Sequence, residues 1–485
     1  MIKKIVLMLC AACMAAASQC GELLSVTPSL PAEKTLKWWK PRFDSVKAKA
    51  AAGGYEVVFL GDSITHGWEK RGKNVWMKYF AEGPYKALNG GFSGDRTEHL
   101  LWRIDNGMLD GTDPKVFVLL IGTNNTGHKK IEEERPIDTV LGIVEVINRL
   151  NAKFPKAKVI LHPIFPRGQT PDNELRKRNN VVNRALSLIG KHPYADRVLL
   201  CNLTDKLQNK DGTLDKAVFP DFLHPAEAGY EIWAKELVPY LDFALGRSSK
   251  KPPLKMFPAG NSSTPSDPVL STRWFKRKTP PRLLIKRKEV LAQAGKQVDL
   301  VMIGDSITHR WEAPAPKGGS GVQEAKFKGM NVLNLGFGGD TTQSLLWVIE
   351  HGGGLDGYTA KNITLLIGTN NIWGSDAASI AGGIKRLVEL IREKQPSAKV
   401  FLMPILPRES PGRKGADVAL AKIPEINNLV APLADGENVK LLDLRKSFLA
   451  ADGNPDRTLY SDITTHPNAK GYDIWADALL SAIGK

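Results

Sequence analysis

Two serines in this chain sit in matching ten-residue settings that could make each a nucleophile. Ser63 lies in Val57-Val58-Phe59-Leu60-Gly61-Asp62-Ser63-Ile64-Thr65-His66, and Ser306 lies in Leu300-Val301-Met302-Ile303-Gly304-Asp305-Ser306-Ile307-Thr308-His309. A hydroxyl is a weak nucleophile. Attack on an ester carbonyl needs a neutral histidine to take the proton, a group that orients that histidine, and donors for the oxyanion that develops. His224 qualifies as the base, and Asp221, three residues earlier, can hold its other ring nitrogen from the same loop. In the second half the base would be His466, and the nearest carboxylate, Asp462, stands one residue farther away. That altered spacing leaves three alternatives: a bulge that still delivers Asp462, a backbone carbonyl in its place, or a domain that has lost activity.

The surrounding pattern says which elements must position these groups. Each serine follows an apolar run of strand length and precedes a helix-compatible segment, so it is presented at the C-terminal end of a buried strand, where open α/β sheets place their chemistry. Gly61 and Gly304 are expected to adopt torsions that a side chain would forbid, and Asp62 and Asp305 to accept hydrogen bonds from free amides of the turn. Further strand-like runs are 86–89, 116–121, 158–164 and 198–201 in the first half, and 331–335, 363–367, 399–405 and 439–442 in the second, with 57–60 and 300–303 carrying the serines. Amphipathic helical segments separate them. The alternation predicts a five-stranded parallel sheet between helices, twice.

Three more blocks recur in order. Gly91-Phe92-Ser93-Gly94-Asp95 matches Gly336-Phe337-Gly338-Gly339-Asp340, each followed by Leu-Leu-Trp at Trp102 and Trp347. Ile121-Gly122-Thr123-Asn124-Asn125 matches Ile367-Gly368-Thr369-Asn370-Asn371, and the two His-Pro blocks are each followed by Gly-Tyr and Ile-Trp. Taken singly, Gly94 reads as a turn residue and Asn124 as a helix cap. Taken as an ordered set found twice, the blocks resemble the SGNH (GDSL-type) hydrolase family, and with Pro166-Arg167 and Pro407-Arg408 each half resembles the catalytic subunits of the platelet-activating-factor acetylhydrolases. The resemblance implies two tandem flavodoxin-like α/β domains. It assigns the oxyanion donors to the backbone amides of Ser63 and Gly94 with the side chain of Asn124, and by repetition to Gly339 and Asn370. It requires no metal or cofactor.

Other repeated residues have plainer readings. His66 and His309 are expected in the first helical turn, facing away from the serine or lining the rim. Trp102 and Trp347 read as core, whereas Trp68 and Trp311 read equally well as core or substrate platform. Arg167 and Arg408 are either structural pairs or pocket residues.

At 485 residues, 42% hydrophobic and 24% charged, the chain has the composition of a globular protein with two cores. Residues 1–18 (Lys3, Lys4, an apolar run, then Ala15-Ala16-Ala17-Ser18) have the layout of a secretory signal, with a lipid anchor on Cys20 as the competing reading. Residues 19–247 and 273–485 are the two expected domains, and the Pro/Ser/Lys-rich stretch 248–272 is the expected linker. Cys201 lies in an apolar run and reads as a small buried hydrophobe. The formal charge of +16 includes a concentration at Arg273, Lys276, Arg277, Lys278, Arg282, Lys286, Arg287 and Lys288, read as a solvated basic face rather than a nucleic-acid site. No membrane span and no nucleic-acid partner are expected. The sequence therefore predicts a secreted or periplasmic esterase that removes short acyl groups from small-molecule or glycan esters. A lipid esterase and a non-catalytic glycan-binding scaffold are the alternatives, and the oligomeric state is open.

Overall fold

A computed structural model describes residues 28–131, 133–189, 196–257, 271 and 282–485. The expected signal, Cys20, Arg273, Lys276, Arg277, Lys278 and most of the expected linker lie outside the described residues. The chain divides into two compact units after residue 258.

In the first unit β1 (Val57–Gly61), β2 (Ala87–Gly91), β3 (Val116–Leu120), β4 (Lys158–Leu161) and β5 (Val198–Leu200) form one sheet in the order β2-β1-β3-β4-β5. Every neighbouring pair is parallel. In the second unit β6 (Gln297–Gly304), β7 (Val332–Gly336), β8 (Thr359–Leu366), β9 (Lys399–Leu402) and β10 (Val439–Leu441) give β10-β9-β8-β6-β7, the same order read from the other edge. These pairs are parallel as well. All five residues of β1 are buried, because helices cover both faces of a parallel sheet. The strand order reverses around β1 and β6, so each serine leaves its strand at the crevice where such sheets bind ligands.

β4 and β9 stop short of their expected ends. Pro163 and Pro404 follow two residues after each strand and offer no amide to the ladder. The backbone beyond is satisfied by a side chain instead: Asn183 Oδ1 accepts from Ile164 N at 2.7 Å and Asn427 Oδ1 from Ile405 N at 2.8 Å.

Trp68 and Trp311 are core and not platform, since both are fully buried. Trp68 packs 4.5 Å from Tyr230 and 5.0 Å from Trp233, and Trp311 packs 4.6 Å from Tyr472 and 5.3 Å from Trp475. Trp347 is buried as expected, whereas Trp102 packs on Trp39 at 5.4 Å but stays partly exposed. The start of the expected linker lies against the first unit: Tyr240 Oη donates to Pro253 O at 3.0 Å, and the buried Phe257 donates its amide to Ser187 Oγ at 2.8 Å. The apolar side chain of Phe257 was the signal for it, hidden among prolines and lysines.

The core of the first unit holds a histidine. His162 Nδ1 donates to Cys201 O at 2.8 Å and Nε2 accepts from Trp233 Nε1 at 3.1 Å, an arrangement that fits only the neutral ring. Burial depresses its pKa from 6.5 to about 4. As pH falls the unfolded chain takes up this proton first, so the stabilisation is complete above about 6.5 and is lost on descent toward 4, at up to about 1.4 kcal/mol per pH unit. His162→Gln is expected to flatten the pH dependence of the urea midpoint across that window. An unchanged slope would show that the ring does not control it. Cys201 itself is fully buried, with its thiol pKa pushed well up by burial.

Candidate active sites

Ser63 opens a one-turn helix (Ser63–His66) directly after β1. Asp62 caps that turn, its Oδ1 accepting from Ile64 N at 2.9 Å, and burial raises the carboxyl to about 7. Asp305 repeats the arrangement at 2.9 Å with Ile307 N and is also raised to about 7 by burial. Gly61 and Gly304 serve a different purpose from the one expected. Neither has a positive φ, but a Cβ on Gly61 would lie 2.2 Å from both Leu120 O and Thr65 Oγ1, and on Gly304 2.2 Å from Thr308 Oγ1. They are needed for close approach, not for torsion.

Ser63 Oγ lies 2.8 Å from His224 Nε2, and His224 Nδ1 lies 3.0 Å from Asp221 Oδ2. Asp221 Oδ1 also accepts the amides of His224 at 2.7 Å and Leu223 at 3.1 Å. Burial opposes ionisation of Asp221, but the amide and ring of His224 and the Leu223 amide outweigh it and hold the carboxyl at about 2. The three-residue spacing forces Phe222 into left-handed backbone, φ +55°, a conformation that costs a non-glycine residue of order 1 kcal/mol.

The second unit builds the same relay with one more residue. Ser306 Oγ is 2.8 Å from His466 Nε2, and His466 Nδ1 is hydrogen-bonded to Asp462 Oδ2. Asp462 Oδ1 accepts the amides of Thr465 at 2.9 Å and His466 at 3.0 Å. Burial is again outweighed, by the ring and amide of His466 and the Thr465 amide, and the carboxyl stays well below the usual range. The extra residue makes a wider turn in which no non-glycine residue takes a positive φ. Of the sequence alternatives, it is the bulge that brings Asp462 to the ring.

The oxyanion candidates converge on the same strand ends. Gly94 (φ +69°) and Gly339 (φ +81°) sit in left-handed turns after β2 and β7. Asn124 Nδ2 donates to Asp95 O at 2.8 Å, and Asn370 Nδ2 to Asp340 O at 2.8 Å. Each bond uses one amide hydrogen and fixes the plane of the group, leaving the second hydrogen for a ligand. His66 is tied to the loop that carries Gly94: its Nδ1 is 2.9 Å from Ser93 Oγ, and burial and then Arg42 depress its pKa to about 4. His309 is likewise depressed to about 4 by burial and then Arg282. Among the described residues no cluster of three His, Cys, Asp or Glu side chains forms a metal site, and no helix is long and apolar enough to cross a membrane.

The family model for GDSL-like lipases and acylhydrolases matches residues 59–232 and again 302–474. The chain belongs to this family. It is an ester hydrolase with two tandem domains. Platelet-activating factor acetylhydrolase IB subunit alpha1 of Homo sapiens is 35% identical over 176 residues, 36% of this chain and 70% of that protein. Subunit alpha2 of Rattus norvegicus is 35% identical over 182 residues, 38% of this chain and 74% of that protein. Among solved structures, a GDSL-like lipase from Bacteroides thetaiotaomicron is 20% identical with a TM-score of 0.34, covering 42% of this chain and 97% of its own. An acetyl xylan esterase is 24% identical with a TM-score of 0.31, covering 38% of this chain and all of its own, 100%.

Several residues that support the sites of this GDSL-type hydrolase were not read from sequence. Asn125 Oδ1 accepts Thr97 N at 3.0 Å and Asn371 Oδ1 accepts Thr342 N at 3.0 Å, so the second asparagine of each block ties the glycine loop to the neighbouring strand end. Tyr230 Oη donates to Ile64 O at 2.7 Å and Tyr472 Oη to Ile307 O at 2.6 Å, clamping the turn that carries the serine. In the first domain only, fully buried Arg103 donates to Asp95 Oδ2 at 2.9 Å; Val348 takes its place in the second. Lys34, from a segment with no pattern, donates to Ser93 O at 3.2 Å. The repeated Gly-Tyr was the available signal for the tyrosines, whereas Arg103 and Lys34 gave none.

Proposed function

We propose that both domains are serine esterases that remove short acyl groups, acetyl foremost, from carbohydrate esters outside the cell. The observation that carries this is the paired relay: Ser63–His224 at 2.8 Å and Ser306–His466 at 2.8 Å, each with a carboxylate behind the imidazole. In this reading Ser63 Oγ bonds to the ester carbonyl carbon while His224 Nε2 takes its proton. The oxyanion is received by the amides of Ser63 and Gly94 and by Asn124 Nδ2. As the C–O bond breaks, His224 returns the proton to the departing alcohol and leaves an acyl-serine, and water then enters by the same relay in reverse. Ionised Asp221 keeps the ring in the tautomer that accepts from serine. Ser306, His466, Asp462, Gly339 and Asn370 take the same roles in the second domain.

The acetyl preference is supported by the relatives that carry acetylhydrolase in their names. The carbohydrate acceptor is supported by the openness of the relay, with the His224 and Asp221 side chains 33% and 43% exposed, which admits a polymer. Export rests on residues 1–18 alone. A lipid ester of the platelet-activating-factor type is the second reading, favoured by the same relatives. Hydrolysis of para-nitrophenyl acetate, butyrate and octanoate is expected to fall with chain length, by about tenfold or more from acetate to octanoate, a difference of about 1.4 kcal/mol in barrier. A rate that rises toward octanoate would overturn the short-acyl reading.

A further inference from the structure

Beside each candidate site stands a guanidinium that pairs with no carboxylate among the described residues. Arg167 follows Pro166 on the chain leaving β4, and its Nη1 donates to Thr123 O at 3.1 Å and Thr123 Oγ1 at 3.3 Å, the residue before Asn124. Arg408 follows Pro407 at the same place after β9; its Nη1 donates to Thr369 Oγ1 at 2.8 Å, before Asn370, and its Nη2 to Ser410 Oγ at 3.3 Å. Among the described residues no carboxylate comes within ion-pair distance of either. Arg408 Nε is buried with no hydrogen-bond partner. Arg167 and Arg408 are half-buried, whereas the fully buried arginines are completed: Arg103 pairs with Asp95 at 2.9 Å and Arg96 with Glu98 at 2.5 Å, while Arg176 spends its donors on three carbonyls, of Arg167, Gly168 and Gly212. Burial lowers the pKa of both Arg167 and Arg408, and the acids that oppose it, Asp62 for one and Asp305 and Asp462 for the other, act only at longer range. A partly desolvated cation with spare donors is costly unless something pairs with it, and here the cost is borne twice, beside each oxyanion asparagine.

We propose that Arg167 and Arg408 recognise an anion on the substrate's alcohol, and that the esters hydrolysed sit on acidic sugars whose carboxylate completes the guanidinium. The planar fork of arginine matches a carboxylate through two parallel hydrogen bonds. The formal charge of +16 would draw in a polyanionic glycan. This rests on the carbohydrate reading above.

The test compares methyl 2,3-di-O-acetyl-glucuronide with the corresponding acetylated methyl glucoside, which differ only at the C6 carboxylate. Acetate release is followed in Ser306→Ala, where the first domain works alone, and in Ser63→Ala, where the second does. In each background kcat/KM is expected to be about tenfold higher on the uronide, the contribution of one charge-assisted pair. That ratio is expected to collapse to about one on adding Arg167→Gln or Arg408→Gln respectively, and to be partly restored by lysine. Because the ratio is read within each protein, a general loss of rate does not imitate it. A ratio near one before the arginine is changed, or one that survives the change, overturns the proposal. So does arginine-dependent hydrolysis of a 1-alkyl-2-acetyl-glycerophosphocholine without a uronide preference, which would assign the anion to a lipid phosphate. A protein that cleaves para-nitrophenyl acetate but neither sugar overturns the carbohydrate reading itself, whereas equal cleavage of both sugars overturns only the role of the arginines.

Discussion

Replacing Ser63 and Ser306 together by alanine is expected to lower kcat for para-nitrophenyl acetate by at least about 10⁴-fold, the scale on which serine triads lose activity when the nucleophile is removed. Each single variant should keep the rate of the untouched domain, because each relay is closed within its own unit: Ser63 with His224, Ser306 with His466. Residual activity in the double variant should be no more than oxyanion donors and binding provide. If Ser63→Ala alone abolished hydrolysis, the second domain would not be an esterase despite its geometry. If the double variant kept the wild-type rate, neither serine would be the nucleophile.

Asp462→Asn in a Ser63→Ala background is expected to cost about 10⁴-fold in kcat, the loss that follows when the acid of a serine triad becomes an amide and the histidine is held in the wrong tautomer. Asp221→Asn in a Ser306→Ala background should cost the same. Equality is expected because the two carboxylates, at three and four residues before their histidines, make the same bonds: one oxygen to the ring and the other to two loop amides. A loss below about threefold in Asp462→Asn would show that the four-residue loop needs only its backbone to orient His466; the three-residue loop, with Phe222 at φ +55°, would then be the one that depends on its acid.

Much of this was legible in the chain. The strand carrying Ser63 is an unbroken apolar run because a central parallel strand is buried on both faces, and the same reasoning located the sheet of each domain. The pairing of Ser63 with His224 was legible only through the ordered blocks and the family they resemble, since no local pattern brings together residues 161 positions apart. Spacing left three alternatives open for Asp462, because a loop can absorb one residue by widening its turn. It also could not say whether Trp68 faced solvent or core, which depends on the distant Tyr230 and Trp233. The Arg103–Asp95 pair was invisible for a related reason: a buried arginine looks like any other until the fold closes around it.

The tyrosine clamp on Ile64 has a consequence for how the enzyme is made. Tyr230 and His224 belong to the last segment of the first domain, while the strand that carries Ser63 belongs to its beginning. A ribosome therefore releases the serine long before the base and the clamp. The brace on the turn comes from the final helix (Glu227–Ala244), which carries Tyr230. The second domain repeats the delay, with Ser306 waiting for His466 and for Tyr472 in the helix Ala469–Ala482. Each relay and its clamp can thus close only after the last segment of its own domain has been made.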